Sequence, residues 1–556
     1  MTIVLTLLFR RVRALGKVIR DREGARLAVI GAFVLLFGLV MAGEYVMFRQ
    51  GLGEVLDMGP PGAALTLYIL ESFLILILVI SVMSFVAGGL ATFFRAADTA
   101  FLLSTPLPLT RLFWLRAAET FLLTSWAFVI VGVPGFLALG AAYGQRAVFY
   151  PWALVVLIIF MTLTGGIGTL LTTLAGAAFG RYRGRTRILL PTLILAGTFA
   201  FLVGLQVAPS AGDFYLIFEP GMANGKPASL KFIEKRFWLW PSHPLAVSLF
   251  SAVTATTAGS DLLTMATWLL PAGALVAAGT LGQRLFAATL PVVAEGLGGS
   301  TRAMGRARST EFPRFLSGPV GALIERDLVG LARSPKELGQ AAFVAFLLVL
   351  YTAILLLAPL PQVLDKAEAV ARLVFLDLAA LGYFLTAFGI RFVFPSLSLE
   401  GRGAWILFTS PVSIGRLLLA KLLASAALLL LAVGPIAAAG ALRFISAPVL
   451  LGIFGFLLAL MTVTTVSVSL ACGVLWPNFR ETNPERLATN AGGLANILLG
   501  LGYVGAVAWL GRGAALAFFR GEPLLGYAAG ALALSAAIGA GAAIAARQRI
   551  KRLEIL

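Results

Sequence analysis

Between Ala63 and Phe94 the chain runs for 32 residues with one charged side chain, Glu71. A helix needs roughly 20 apolar residues to cross a bilayer. Lipid offers the backbone no hydrogen bonds, so a spanning segment is either a helix or a strand of a closed barrel. Runs of this kind recur along the chain at helical rather than strand length. The composition agrees: 60% of residues are hydrophobic and 12% charged, against roughly 25% charged in soluble domains. The expected fold is an all-α polytopic membrane protein of about 12 transmembrane helices. Met1 to Phe9 is apolar and the arginines follow it, the reverse of signal-peptide order.

The first polar break that a span cannot absorb is Arg95 to Arg116, RAADTAFLLSTPLPLTRLFWLR. It reads as a short helix through Phe101 and Leu102, stopped near Pro106, then a Pro-Leu-Pro turn and a new helix from Thr110. Ser104 and Thr105 can bond the carbonyls that a broken helix leaves over. The device returns at Glu400 to Lys421, EGRGAWILFTSPVSIGRLLLAK. At an offset of 305, Leu102, Ser104, Thr105, Pro106, Arg111 and Arg116 fall on Leu407, Thr409, Ser410, Pro411, Arg416 and Lys421. A lone proline turn is an ordinary loop feature; its repetition at one place in both halves points to architecture.

The halves are residues 1–288 and 318–556, joined by a Gly- and Arg-rich linker at 289–317. Each half is expected to hold six spans behind an amphipathic helix, at Leu7 to Arg26 and at Val320 to Arg333. A polar interruption at Pro209 to Pro244 separates spans 5 and 6, with Trp238 and Trp240 suited to a membrane interface. With the N-terminus inside, 32 of the 43 lysines and arginines fall on the inner side, as the positive-inside rule requires. Both elbows, both amphipathic helices, the linker and both termini are then cytoplasmic. The net charge of +18 follows from that asymmetry and does not point to nucleic acid. An even number of spans per half makes the repeat parallel.

The elbow sequences FLLSTPLPLTRLFWLR and ILFTSPVSIGRLLLAK resemble the segment after span 2 in permeases of the type-2 ABC exporter class. ERDLVGLARSPKELGQ and ACGVLWPNFRETNPERLATNAGG resemble segments of ABC exporter permeases with two fused halves. The resemblance implies a bacterial cytoplasmic-membrane exporter permease bound from below by two ABC ATPase subunits. It implies contact with them through Phe101, Leu102, Ser104, Thr105, Pro106 and Arg111, and through Trp405, Leu407, Thr409, Ser410, Pro411 and Arg416. Cargo is left open: lipids, peptides, drugs and glycans all fit.

No GxxxxGK[ST] phosphate loop occurs; the nearest string, GMANGKPAS from Gly221, has the wrong spacing and Pro227 where magnesium needs a hydroxyl. The expectation is therefore a transport subunit without enzymatic activity or a nucleotide site of its own, with ATP on a partner subunit. One cysteine, Cys472, and one histidine, His243, exclude disulfide frameworks and clustered Cys or His metal sites. Glu71 lies 35 residues before Pro106 and Asp377 lies 34 before Pro411. Matched acids inside spans line a pathway, or sit near an interface bonded to a neighbouring helix. Glu44, Glu119 and Arg391 are expected near span ends, snorkelling. The Gly165, Gly166, Gly168 cluster reads as close helix packing. The alternative function is a secondary transporter coupled to an ion gradient through Glu71 and Asp377; a membrane scaffold or polytopic enzyme is a third class without catalytic residues to support it. The orientation is testable with cysteines at positions 224 and 300, with Cys472 replaced. In intact cells an impermeant thiol reagent should label position 224 alone; labelling at 300 alone would invert the topology.

Overall fold

The computed structural model describes residues 24–94, 99–145, 147–180, 228–254, 261–298, 318–333, 335–357, 367–403, 413–479 and 490–553, with isolated positions between 197 and 227 and at 487. The amphipathic stretch before residue 24, most of span 5, most of the linker and the second elbow's tip lie outside the described residues. The chain forms two compact units, one running from Val34 to Arg308 and the other holding Ala28–Phe33 and Ser309–Leu556.

In the first unit, helix α1 (Gly24–Leu56) is followed by α2 (Pro60–Phe94), the short α3 (Thr99–Ser104), α4 (Leu109–Ala142) and α5 (Phe149–Gly180). Two two-residue strands, β1 (Met222–Ala223) and β2 (Lys226–Pro227), pair antiparallel. Helices α6 (Ala228–Phe237), α7 (His243–Thr254), α8 (Asp261–Ala277) and α9 (Gln283–Gly298) follow, α8 and α9 joined by a π-helical turn at Ala278–Gly282. The second unit holds α10 (Pro319–Arg333), α11 (Pro335–Leu357), α12 (Ala367–Phe388), α13 (Ile414–Phe444), α14 (Pro448–Leu475), α15 (Ala491–Arg520) and α16 (Leu525–Leu553). After α12 the chain passes through a π turn (Gly389–Val393) and 3-10 turns (Phe394–Ser396, Ser398–Gly403) before α13.

Among the described residues, eight helices are long and apolar enough to cross a membrane, so this is a multi-pass helical membrane protein. They coincide with expected spans at Ala63 to Phe94, Pro151 to Phe179, Leu263 to Phe286, Val370 to Phe394, Leu422 to Leu442, Val449 to Leu475, Ala491 to Leu510 and Leu524 to Ala546. Helix α2, at 35 residues, is about 52 Å long at 1.5 Å per residue. It therefore tilts or extends beyond a hydrocarbon layer of roughly 30 Å.

Lipid supplies no hydrophobic drive between helices, so close approach and buried polar bonds hold them together. Helix α5 packs on α2, α4 and α8, and its glycines set the distance. A Cβ at Gly166 would stand 2.9 Å from the backbone of Ala274, and one at Gly168 would stand 2.6 Å from Phe85. The cluster is a packing surface, as its spacing indicated. The threonines that face these seams bond their own helices: Thr169 to the Gly165 carbonyl at 2.7 Å and Thr172 to that of Gly168 at 2.7 Å. In the second unit α14 is the hub, packed against α12, α13, α15 and α16. Its buried side includes Phe454, Leu457, Met461 and Val466.

The stretch Pro209 to Pro244, expected as a loop, ends differently. His243 to Phe250 are almost all buried, on a helix packed against α2, α5 and α8. A run beginning Ser-His-Pro reads as a turn from local signals. The apolar LAVSLF that follows turns it inward as a helix, with Pro244 at a first-turn position that needs no donor.

Candidate functional site

The first elbow is built as its residues dictate. Helix α3 ends at Ser104, where Pro106 denies the next turn a donor. The Ser104 hydroxyl donates to the Phe101 carbonyl at 2.7 Å, and Thr105 donates to that of Leu102 at 2.6 Å. These hydroxyls serve carbonyls in the last turn of the broken helix, where the Leu102 carbonyl also accepts from the Thr105 amide at 3.2 Å. Helix α4 then starts after Pro108, whose backbone sits at φ −65°, ψ 141°. The second helix start has the same form: α13 begins after Ser413, at φ −60°, ψ 141°. Arg111 and Leu112 donate to the Pro108 carbonyl at 2.9 and 3.2 Å. Arg416 and Leu417 donate to that of Ser413 at 2.9 and 3.2 Å. Positions 108 and 413 keep the offset of 305. Trp405, Leu407, Thr409, Ser410 and Pro411 lie outside the described residues.

The side chains of the first elbow separate into a base and a tip. Leu102 and Leu107 pack on a cluster that includes Phe93, Phe113 and Phe286, three rings with centroids 5.8 Å apart pair by pair. Phe101 is 69% exposed and Leu103 43%. Ser104, Pro106 and Arg111 are also exposed. The apolar tip is thus Phe101 and Leu103, and Leu102 belongs to the base.

The helix that follows each elbow carries a buried cation at a matched position, 116 and 421. Arg116 is 1% exposed; it donates to Glu119 at 2.8 Å and to Thr99 at 3.0 Å. It therefore ties α4 to the start of α3 rather than reaching toward headgroups. Glu119 is buried with it and does not snorkel. Lys421, 4% exposed, donates to Asp327 at 3.1 Å, Glu400 at 3.0 Å and the Ser396 carbonyl at 3.4 Å. Arg326 closes the group, its guanidinium 2.6 Å from both Asp327 and Glu400. Burial pulls the Arg326 pKa down, but Asp327 and Glu400 outweigh it and the net direction is upward. Val320, Ile324, Asp327 and Leu328 of α10 are half-buried, and α10 packs on α13. The amphipathic helix and the approach to the second elbow are one ionic assembly. Sequence reasoning marked Arg116 and Lys421 but not their acidic partners, which come from unrelated positions in the two halves.

Glu71 and Asp377 are each bound to another helix of their own unit. Glu71, fully buried, lies 2.5 Å from His243 Nδ1 on α7. Asp377, 3% exposed, accepts from the Tyr351 hydroxyl of α11. Glu71 Oε2, His243 Nε2 and Asp377 Oδ2 have no hydrogen-bond partner among the described residues. His243 and Tyr351 were not picked out from the sequence. The 35- and 34-residue spacings located the acids, and nothing local in the sequence located their partners.

The helices define a multi-pass helical membrane protein in which a clamped break follows the long helix α2. Over residues 21–546 the chain matches the family described as "Putative ATP-binding cassette". It belongs to that family, within the ABC transporters. No curated protein and no solved structure matches it.

The membership corrects two expectations. The absent phosphate loop points to a chain with no nucleotide site of its own and no enzymatic role, with ATP held only on a partner. The family is described as an ATP-binding cassette, which puts ATP binding with chains of this family. The error lay in the weight given to one motif. A missing GxxxxGK[ST] excludes one phosphate cradle, whereas helix N-termini and guanidinium groups also bind phosphates.

The clamps make unequal demands. Arg116→Met takes the cation from a buried carboxylate 2.8 Å away and should cost about 3–5 kcal/mol. Adding Glu119→Leu should restore most of the loss. Lys421→Met leaves Arg326 beside both acids, which are 26% and 19% exposed, so about 1–2 kcal/mol is expected. Thermal unfolding in detergent measures all three; a larger loss for Lys421→Met than for Arg116→Met would refute the ranking.

Proposed function

We propose that this chain forms the membrane pathway of an ABC-type exporter in the bacterial cytoplasmic membrane. Twelve spans in two parallel halves, cytoplasmic termini and cytoplasmic elbows belong to this reading. Two cytoplasmic ABC ATPase subunits dock on the elbows, and their movement opens and closes the path between the halves. The family supports the ABC part. The observation that carries the permease part is the first elbow. A six-residue helix stands between two long helices with Phe101 and Leu103 exposed at its tip, while a buried arginine fixes its base. A lever needs both: a surface for the partner and a rigid joint behind it. Apolar anchors of this kind dominate many interfaces.

The buried Glu71–His243 and Asp377–Tyr351 pairs favour a second reading, an ion-gradient transporter, since ionisable groups within spans commonly mark ion paths. Transport in vesicles that needs ATP and survives an uncoupler separates the first reading from the second.

Phe101→Asp is the direct probe of docking. The residue is mostly exposed, so yield and melting should stay unchanged. Co-purifying ATPase should fall about tenfold or more, as for loss of an anchor worth roughly 2 kcal/mol. Leu102→Asp is a poorer test, because it charges a residue packed on the aromatic base. Full retention of the ATPase by Phe101→Asp would remove the elbow from the interface.

A further inference from the structure

His243 is the only histidine in the chain, and it lies inside the first unit. Its side chain is 1% exposed and that of Glu71 is 0% exposed. His243 Nδ1 stands 2.5 Å from Glu71 Oε1, a separation at which two such atoms hold a proton between them. The other two polar atoms of the pair, His243 Nε2 and Glu71 Oε2, are shielded and have no hydrogen-bond partner among the described residues.

Counting protons fixes which atom of the pair can exchange one. In the neutral pair one proton lies between Nδ1 and Oε1 and a second is on Nε2. This holds both for carboxylate with imidazolium and for carboxylic acid with imidazole. With one proton fewer, the shared proton stays on Nδ1 beside a carboxylate, Nε2 is bare, and the pair is negative. Uptake and release therefore occur at Nε2.

Few charges face the pair. Helix α5 has none, α7 has only His243, and α8 has only its first residue, Asp261. The charges of α4 and α9 lie toward the elbow end of α2, where Arg116 bonds Thr99 and Phe286 packs on Phe93. That is about 33 Å along α2 from Glu71. On α1, Glu44 is half-buried and Arg49 and Glu54 are exposed. Tyr68, Tyr143 and Tyr150 add hydroxyls at the same end of α2, α4 and α5. On α6, Glu234 acts on Glu71 by charge, and Arg236 opposes it from 5.8 Å over the Tyr68 ring.

The pair also lies one side chain below the surface. The Trp238 ring centroid is 6.2 Å from that of His243. Trp238 is 55% exposed, and Leu239 beside it is 92% exposed. A swing of the indole would bring water to the imidazole.

We infer that Glu71 and His243 form a proton-binding site, with His243 Nε2 as the exchanging atom and Trp238 as its cover. A proton taken from water bonds Nε2 and neutralises the pair; on release it returns to water. The buried negative pair left behind is costly, so the contact of α7 with α2 is tightest with the proton bound and weakens as pH rises. The inference rests on neither transport reading. In an ABC exporter the site makes this contact sensitive to pH, and in an ion-gradient transporter it names the ion.

A single histidine makes the test specific. The full chain, with isotope-labelled imidazole nitrogens and a purification tag free of histidine, is reconstituted in lipid and followed by solid-state NMR from about pH 5 to about pH 10. Nε2 should pass from protonated to bare in one step, while Nδ1 keeps the shift of a strongly hydrogen-bonded nitrogen. In Glu71→Gln the midpoint should move to at least tenfold higher proton concentration or leave the range, because the opposite charge is gone. Trp238→Ala changes a mostly exposed residue and should fold as the wild type does; exchange of the Nε2 proton with water should quicken about tenfold or more. A wild-type imidazole that does not titrate over this range would overturn the site, whether or not any variant folds. An unchanged midpoint in Glu71→Gln would overturn the pairing, and unchanged exchange in Trp238→Ala would overturn the cover. None of these signals needs ATP, cargo or an ATPase, so their failure is distinguishable from failure of either transport reading.

Discussion

A buried cation at the start of the helix that follows each elbow is the contact on which the rest of the proposed machine depends. A break between two long membrane helices is a natural place for the chain to flex. Arg116 and Lys421 prevent that by tying the helix start to what precedes it: Thr99 in one unit, Ser396 and Glu400 in the other. Buried ion pairs add little net stability, because desolvation cancels much of their attraction. Breaking one is expensive, because the remaining charge has nowhere to go. They therefore suit a joint that must keep one geometry under load better than they suit a simple gain in stability.

The two units reach this joint by different routes. In the first, the acid sits three residues along the same helix as its arginine, and an aromatic cluster carries the packing. In the second, the acids come from α10 and from the 3-10 turns before the elbow, where Gly401 adopts φ 55°. Only glycine takes that backbone conformation without a steric penalty. The amphipathic helix α10 is consequently bound into the second joint by charge. The matched helix starts at 108 and 413 show what the repeat conserves: backbone geometry and the position of the cation, not the partners.

Much of the fold was legible because the membrane imposes a simple rule: apolar runs of sufficient length become helices. The first elbow was legible because proline acts on the backbone locally, and the matching helix start at 413 because its offset of 305 from position 108 could be read by alignment alone. Partners were not legible. The Glu71–His243 bond joins residues 172 apart, and the acidic partners of Lys421 lie 21 and 94 residues away. Local pattern carries no information on such pairs. Residues around His243 misled for a related reason: turn-forming neighbours masked an apolar run that packing draws inside. The nucleotide question failed differently. One absent motif does not exclude a function that several arrangements of donors can serve.

The claim that the elbow is a fixed knob pressed by an ATPase is tested most directly by a photo-crosslinking amino acid at position 101 in living cells. The same residue at Leu154, an exposed apolar position on α5, serves as the control for lipid contact. The account predicts that position 101 captures a polypeptide carrying an ABC ATPase phosphate loop, and that position 154 does not. Capture of lipid alone from both positions would contradict it.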